Sequence, residues 1–282
     1  MLINRIDLYK YFGIKRKKGA LGYLTTYVLE NSPEINMKRI RPAMVVLPGG
    51  GYQFLSDREN EPIALKFNSL GYNSFVLEYS IKTLSFPTQL IEACMAVAYL
   101  RLNAETLLID TEHIGMVGFS AGGHLCASVA TLYNDETVKK ALKEHADKVM
   151  PNAVILSYPV ITSEEKYWHQ GSIETVSGGK KSLMNKLSLE KRVTGESVPA
   201  FIWHTKEDGG VPAFNSLLMA AAYQEHGVPY ELHVFERGPH GLSLATIETS
   251  MNELNKLCNY NASKWVELAD NWLKVRGFKI IN

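Results

Sequence analysis

The stretch HIGMVGFSAGG, His113 to Gly123, decides how the rest of the chain reads. Its first seven residues suit a buried strand, and a small-residue helix is expected behind it. A backbone that passes so abruptly from strand to helix holds the corner residue in a strained conformation. Small residues two before and two after that corner let the turn close, and the corner side chain is lifted clear of the sheet. Gly118-Phe119-Ser120-Ala121-Gly122 meets this requirement, so Ser120 is the candidate nucleophile. The following helix adds its positive N-terminal dipole beside any developing negative charge. The competing reading is a glycine-rich turn with a capping serine.

Outward from this corner, strands and helices alternate. Met44 to Leu47 is a short apolar run, which suits a strand buried on both faces. A helix is expected over Glu59–Leu70, closed by Gly71, then a strand over Ser74–Tyr79 and a helix over Thr88–Leu102. Beyond the corner come strands at Ala153–Tyr158, Ala200–His204 and Glu231–Phe235, with helices at Phe214–His226 and Asn259–Lys274. Period-two patterning in the first thirty or so residues (Ile6, Leu8, then Tyr23, Thr25, Tyr27) predicts antiparallel strands. The basic run Lys15 to Lys18 between them reads as a solvated hairpin turn. The expectation is one α/β domain over residues 1–282, with a mostly parallel sheet, antiparallel N-terminal strands and helices on both faces. Residues 160–197 carry no clear strand and read as a lid-like or substrate-pocket insertion.

A serine hydroxyl needs a base to take its proton, and the base needs a carboxylate to orient it. His240, in the flexible turn Arg237-Gly238-Pro239-His240-Gly241 after the last strand, can reach back over the sheet. His124 is a rival on the Ser120 helix, but one turn downstream it points away from an attacking hydroxyl. His204 and His233, on expected strands, are read as packed or hydrogen-bonded in place, and His113, His145, His169 and His226 need no role. The loop after Trp203-His204-Thr205 offers Glu207 and Asp208, both acceptable on chemistry alone. The order serine, acid, histidine is that of α/β-hydrolases. Pro48-Gly49-Gly50-Gly51-Tyr52, after the first buried strand, leaves backbone N–H groups free to hold an oxyanion together with that of Ala121. No Walker lysine or GxGxxG spacing accompanies these glycines, which argues against a phosphate-binding turn.

Composition narrows the partners. Across 282 residues, 30 Lys and Arg against 29 Asp and Glu leave a net charge of +1, too even to favour nucleic acid or an anionic membrane. Three dispersed cysteines, Cys94, Cys126 and Cys258, fit a reducing cytoplasm and no disulfide framework. No apolar run is long enough to span a bilayer, and the first residues lack the apolar core of an export signal.

Together, RPAMVVLPGGGY (Arg41 to Tyr52), SDRENEP (Ser56 to Pro62), GFSAGGHL (Gly118 to Leu125), WHTKEDGGVP (Trp203 to Pro212) and GPHGLSLA (Gly238 to Ala245) resemble the esterase/lipase branch of the α/β-hydrolase superfamily. Within it, the chain is similar to bacterial acetyl-esterase and acetyl-xylan-esterase-like "sugar hydrolase" proteins along almost its whole length. The resemblance implies Asp208 as the acid and the backbones of Gly50 or Gly51, with Ala121, as the oxyanion hole. It gives Asp57, Arg58 and Glu59 no chemical role, and salt-bridged support of the oxyanion loop is the expectation for them.

The expected protein is therefore a cytoplasmic serine esterase for small acyl esters, acetylated sugars among them, with the triad Ser120, His240 and Asp208. Neither metal nor organic cofactor is expected, and the partner is a small-molecule ester, with a homodimer as the expected assembly. Tyr52, Phe54, Tyr167 and Trp168 are the expected pocket residues. Two alternatives stand beside this: a serine aminopeptidase or formamidase, with Glu164 and Glu165 available to bind an amine, and a catalytically silent binding protein.

Overall fold

The computed structural model describes residues 1–251 and 256–282. Eight strands form one sheet: β1 (Leu2–Asp7), β2 (Tyr23–Val28), β3 (Arg41–Leu47), β4 (Asn73–Glu78), β5 (Ile109–Phe119), β6 (Ala153–Ser157), β7 (Ala200–Thr205) and β8 (Tyr230–Phe235). Their spatial order is β1-β2-β4-β3-β5-β6-β7-β8. β1 and β2 pair antiparallel, as do β2 and β4, and every pair from β4 to β8 is parallel.

Strand periodicity divides the core in two. Val45, Leu47, Met116, Leu156 and Ile202 face one layer, with the helices Thr88–Leu102, Ala121–Leu132 and Phe214–Glu225. Met44, Val46, Val117, Ile155 and Trp203 face the other, with the helices Glu61–Ser69 and Trp265–Val275. Both faces of β3 are therefore covered, and all seven of its residues are buried, as a continuous apolar run requires. Trp203 and Trp265 stack with ring centroids 5.3 Å apart and anchor the last helix against β7.

Several expected boundaries move for identifiable reasons. The helix expected from Glu59 starts as a 3₁₀ turn at Asp57–Glu59, breaks at Asn60 and resumes as Glu61–Ser69. β5 begins at Ile109, earlier than its apolar segment, because polar residues at its start lie partly exposed. The segment between β1 and β2 is no simple hairpin: it includes the short helix Leu8–Tyr11. Nor is its whole basic run solvated. The Arg16 guanidinium bonds the Asp7 carboxylate and the Tyr23 hydroxyl, and lies 5.0 and 4.5 Å from the Tyr9 and Tyr23 ring centres. Residues 160–197 fold as the helices Gln170–Ser177 and Lys181–Lys186 and a 3₁₀ turn at Leu189–Arg192. Among the described residues no helix is long and apolar enough to cross a membrane.

Candidate active site

The glycine loop after β3, Ser120 after β5, Asp208 after β7 and His240 after β8 all lie beyond the C-terminal ends of strands, where open parallel sheets place their sites. Ser120 has φ 53° and ψ −113°, a conformation L-residues rarely adopt. Packing enforces it. A Cβ on Gly118 would approach the Gly122 carbonyl oxygen to 2.2 Å, and one on Gly122 would come as close to that of Leu47. These two positions therefore admit only glycine, and the corner seats the helix N-terminus against the glycine loop.

His240 Nε2 lies 2.8 Å from Ser120 Oγ, and His240 Nδ1 lies 2.7 Å from Asp208 Oδ2. The Asp208 side chain is fully buried while 28% of that of His240 is exposed, so the relay runs from the interior towards the cleft. Asp208 Oδ1 accepts the N–H groups of Gly210 and Val211 at 2.9 and 2.8 Å. Burial alone would push the Asp208 carboxyl up. Hydrogen bonds from His204 and His240, the charge of His240 and the Val211 N–H outweigh it and hold the group well below the usual carboxylate range. A carboxylate held ionised in this way fixes the His240 proton on Nδ1 and leaves Nε2 free to accept one. Glu207, its rival on chemistry, turns the other way and accepts the Gly238 N–H at 3.2 Å.

His204, expected to be packed or hydrogen-bonded in place, is so, and it supplies a second brace to Asp208. It is fully buried, with Nε2 3.2 Å from Asp208 Oδ2 and 2.9 Å from the Val211 carbonyl, and Nδ1 2.8 Å from Ser216 Oγ. The WHT segment preceding an acid-bearing loop was the available signal.

His124 is excluded as a base by its contacts. It is wholly buried, with Nδ1 2.9 Å from the Tyr52 hydroxyl and Nε2 2.9 Å from the Leu187 carbonyl. The carbonyl requires a proton on Nε2, so Nδ1 accepts from Tyr52. Burial lowers its pKa to about 4. In the unfolded chain it titrates near 6.5, so between pH 6.5 and 4 the unfolded state takes up a proton that the folded state refuses. Its contribution is intact above pH 6.5 and declines as the pH falls towards 4, by about 3 kcal/mol overall. Urea midpoints measured across that window should fall for the wild type, and less steeply for His124→Gln.

The glycine loop is held from below. Glu59 is buried; its Oε2 accepts the Gly49 N–H at 2.8 Å and its Oε1 accepts the Tyr158 hydroxyl at 2.6 Å. Tyr158 in turn accepts the Ser243 N–H at 2.8 Å, in the loop that carries His240. Burial, with Glu59 beside it, pushes the Tyr158 phenol well up, so it stays a donor. Arg58 bonds the carbonyl oxygens of Gly241 and Thr249 and forms no ion pair with Glu59. The support expected from salt bridges is thus built from hydrogen bonds. With the Gly49 N–H committed, those of Gly50, Gly51 and Ala121 meet no acceptor among the described residues. Gly50 and Gly51 line the same cleft as Ser120.

That cleft, about 430 Å³, is walled by Gln53, Phe54, Ser56 and Arg58 on one side and by His169 and His240 on another. Of the expected pocket residues, Phe54 lines it. Tyr52 does not: at φ 60° its side chain turns inward, is fully buried and holds His124. Tyr167 stacks on Phe214 with centroids 4.4 Å apart, and Trp168 packs against Val160, Ile173 and Val211; neither is among the residues lining this cleft. His169, given no role in the sequence, is.

Comparison with known proteins follows this geometry. The BD-FAE family matches residues 32–223. Endo-1,4-beta-xylanase B of Butyrivibrio fibrisolvens is 41% identical over 215 residues, which are 74% of this chain and 33% of that protein; the chain spans about a third of that relative's length. Among solved structures, the acetyl ester-xyloside bifunctional hydrolase of Caldicellulosiruptor lactoaceticus superposes with a TM-score of 0.77 at 35% identity, over 91% of this chain and 88% of the other. The α/β hydrolase MGS-M1, from a Medee basin deep-sea metagenome library, gives 0.77 at 37% identity, over 98% and 97%. The chain belongs to the BD-FAE family and has the α/β-hydrolase fold.

Proposed function

We propose that this chain is a serine carboxylic-ester hydrolase acting on small acyl esters, acetylated sugars among them. The observation that carries the reading is the continuous relay Ser120 Oγ–His240 Nε2, His240 Nδ1–Asp208 Oδ2, beside backbone N–H groups that meet no acceptor among the described residues. Similarity to a hydrolase described as acting on acetyl esters and xylosides supports the acyl group and the sugar.

In this mechanism Ser120 Oγ attacks the ester carbonyl carbon while its proton passes to His240 Nε2. The carbonyl oxygen becomes an oxyanion received by the N–H groups of Ala121 and of Gly50 or Gly51. Collapse of the tetrahedral species breaks the ester C–O bond, and His240 returns the proton to the departing alcohol. Water then attacks the acyl-enzyme with His240 again as base, which releases the carboxylic acid and restores Ser120. Asp208 keeps the imidazole oriented and stabilises its cation without taking the proton. No step requires a metal or organic cofactor. Residues 160–197 form part of the cleft wall through His169, within what we take to be a single domain of 282 residues. A serine-directed phosphonate tests the nucleophile. Intact-mass and peptide analysis should find one adduct, on Ser120, formed far more slowly in His240→Ala; an adduct elsewhere, or none, contradicts the reading.

A further inference from the structure

His169 stands at the start of the helix Gln170–Ser177, and its ring does two jobs at once. Nδ1 accepts the Ser172 backbone N–H at 3.3 Å and lies 2.8 Å from Ser172 Oγ. The Ser172 N–H is shared between Nδ1 and the His169 carbonyl oxygen, the latter at 3.1 Å; because it can only donate, Nδ1 accepts it and the ring proton resides on Nε2. Burial, then the nearby charge of His240, lowers the pKa of His169, which keeps the ring neutral. Nε2 meets no protein acceptor among the described residues, yet the ring lines the Ser120 cleft. Its Cε1 edge would come within 4.0 Å of a Cβ on Gly51, so the ring faces the oxyanion loop. The result is an N–H donor in the same cleft as Ser120 that meets no acceptor among the described residues.

The rest of the wall indicates what it meets. Gln53, Ser56 and Arg58 are polar, and among the described residues lining the cleft Phe54 has the one hydrocarbon side chain. A long acyl chain would need apolar walls throughout, whereas a hydroxylated alcohol offers an acceptor to the His169 donor; Gln53 and Arg58 already donate to Thr175 and to the Gly241 and Thr249 carbonyls. We infer that His169 is a specificity-determining residue that donates its Nε2–H to a hydroxyl or ring oxygen on the alcohol half of the substrate, beside the scissile ester. This rests on the ester-hydrolase reading and adds the residue that reads the alcohol.

Two substitutions separate the donor from the helix cap. Asparagine caps helices well but is too short to present an N–H where Nε2 lies; glutamine reaches that point but caps poorly. The readout is the ratio of kcat/KM for an O-acetylated methyl xyloside to that for p-nitrophenyl acetate. His169→Asn should lower this ratio about five- to tenfold, the loss of one hydrogen bond. His169→Gln should keep most of it while lowering the thermal midpoint. The inference is overturned if the ratio follows the cap, falling in the glutamine variant alone, if both variants lower it equally, or if neither changes it. A wild type that cleaves p-nitrophenyl acetate but not the xyloside overturns this inference and spares the esterase reading. One inert towards both overturns the esterase reading itself.

Discussion

Replacing Ser120 by alanine is expected to lower kcat for p-nitrophenyl acetate by on the order of 10⁵-fold or more, with little change in fold. The magnitude follows from the relay acting as a unit. Without Oγ, His240 has no proton to take, and only the oxyanion donors and cleft binding remain. For the same reason, adding His240→Ala to Ser120→Ala should cost almost nothing further. Stability supplies an independent check on the geometry. At φ 53° and ψ −113° an alanine keeps the strain of the serine, whereas glycine relieves it. Both variants lack the hydroxyl, so Ser120→Gly should be more stable than Ser120→Ala by about 1 kcal/mol in urea titrations. Equal stabilities would mean that the corner is not strained.

Glu59→Gln is the second large effect. The carboxylate accepts two hydrogens, one from Gly49 and one from Tyr158. An amide offers one accepting oxygen and an NH₂ group, so one buried donor loses its partner. That costs about 1–3 kcal/mol of stability. The glycine loop then loses part of its anchor, the Gly50 and Gly51 N–H groups shift from the oxyanion position, and kcat should fall about 10²-fold, the scale of losing one oxyanion donor. Glu59 touches no reacting atom in this account and acts through Gly50 and Gly51. A fall in kcat with KM nearly unchanged therefore marks a positioning role, while a rise in KM alone would contradict it.

What the sequence could reveal depended on how local each signal was. The Ser120 corner was legible because steric exclusion at Gly118 and Gly122 is written within five residues. The helix Thr88–Leu102 was readable end to end because Pro87 precedes it and its apolar content is continuous. The choice between Glu207 and Asp208 was not local in the same way. It is decided by the turn in which Asp208 accepts the Gly210 and Val211 N–H groups, which leaves its second oxygen facing His240. An aspartate two residues before Gly210 is a turn former, so a trace of that signal was present. Tyr52 was misplaced because aromatic character says nothing about direction; a positive φ in the glycine loop turned it into the core. Arg16 was read as solvated because its partners, Asp7 and Tyr23, are brought together only by strand pairing. His169 gains its meaning from its place in the Ser120 cleft, which no pattern along the chain encodes, whereas His204 left a trace in the WHT segment ahead of Asp208.

The most direct test of the central claim is a parallel measurement of initial hydrolysis rates of p-nitrophenyl acetate, butyrate and octanoate by the wild type and Ser120→Ala. A cleft of about 430 Å³ with a single hydrocarbon side chain predicts acetate as the best substrate and octanoate as the poorest, with Ser120→Ala at background on all three. Wild type and Ser120→Ala hydrolysing them equally, or a wild type inert towards all three, would contradict the account.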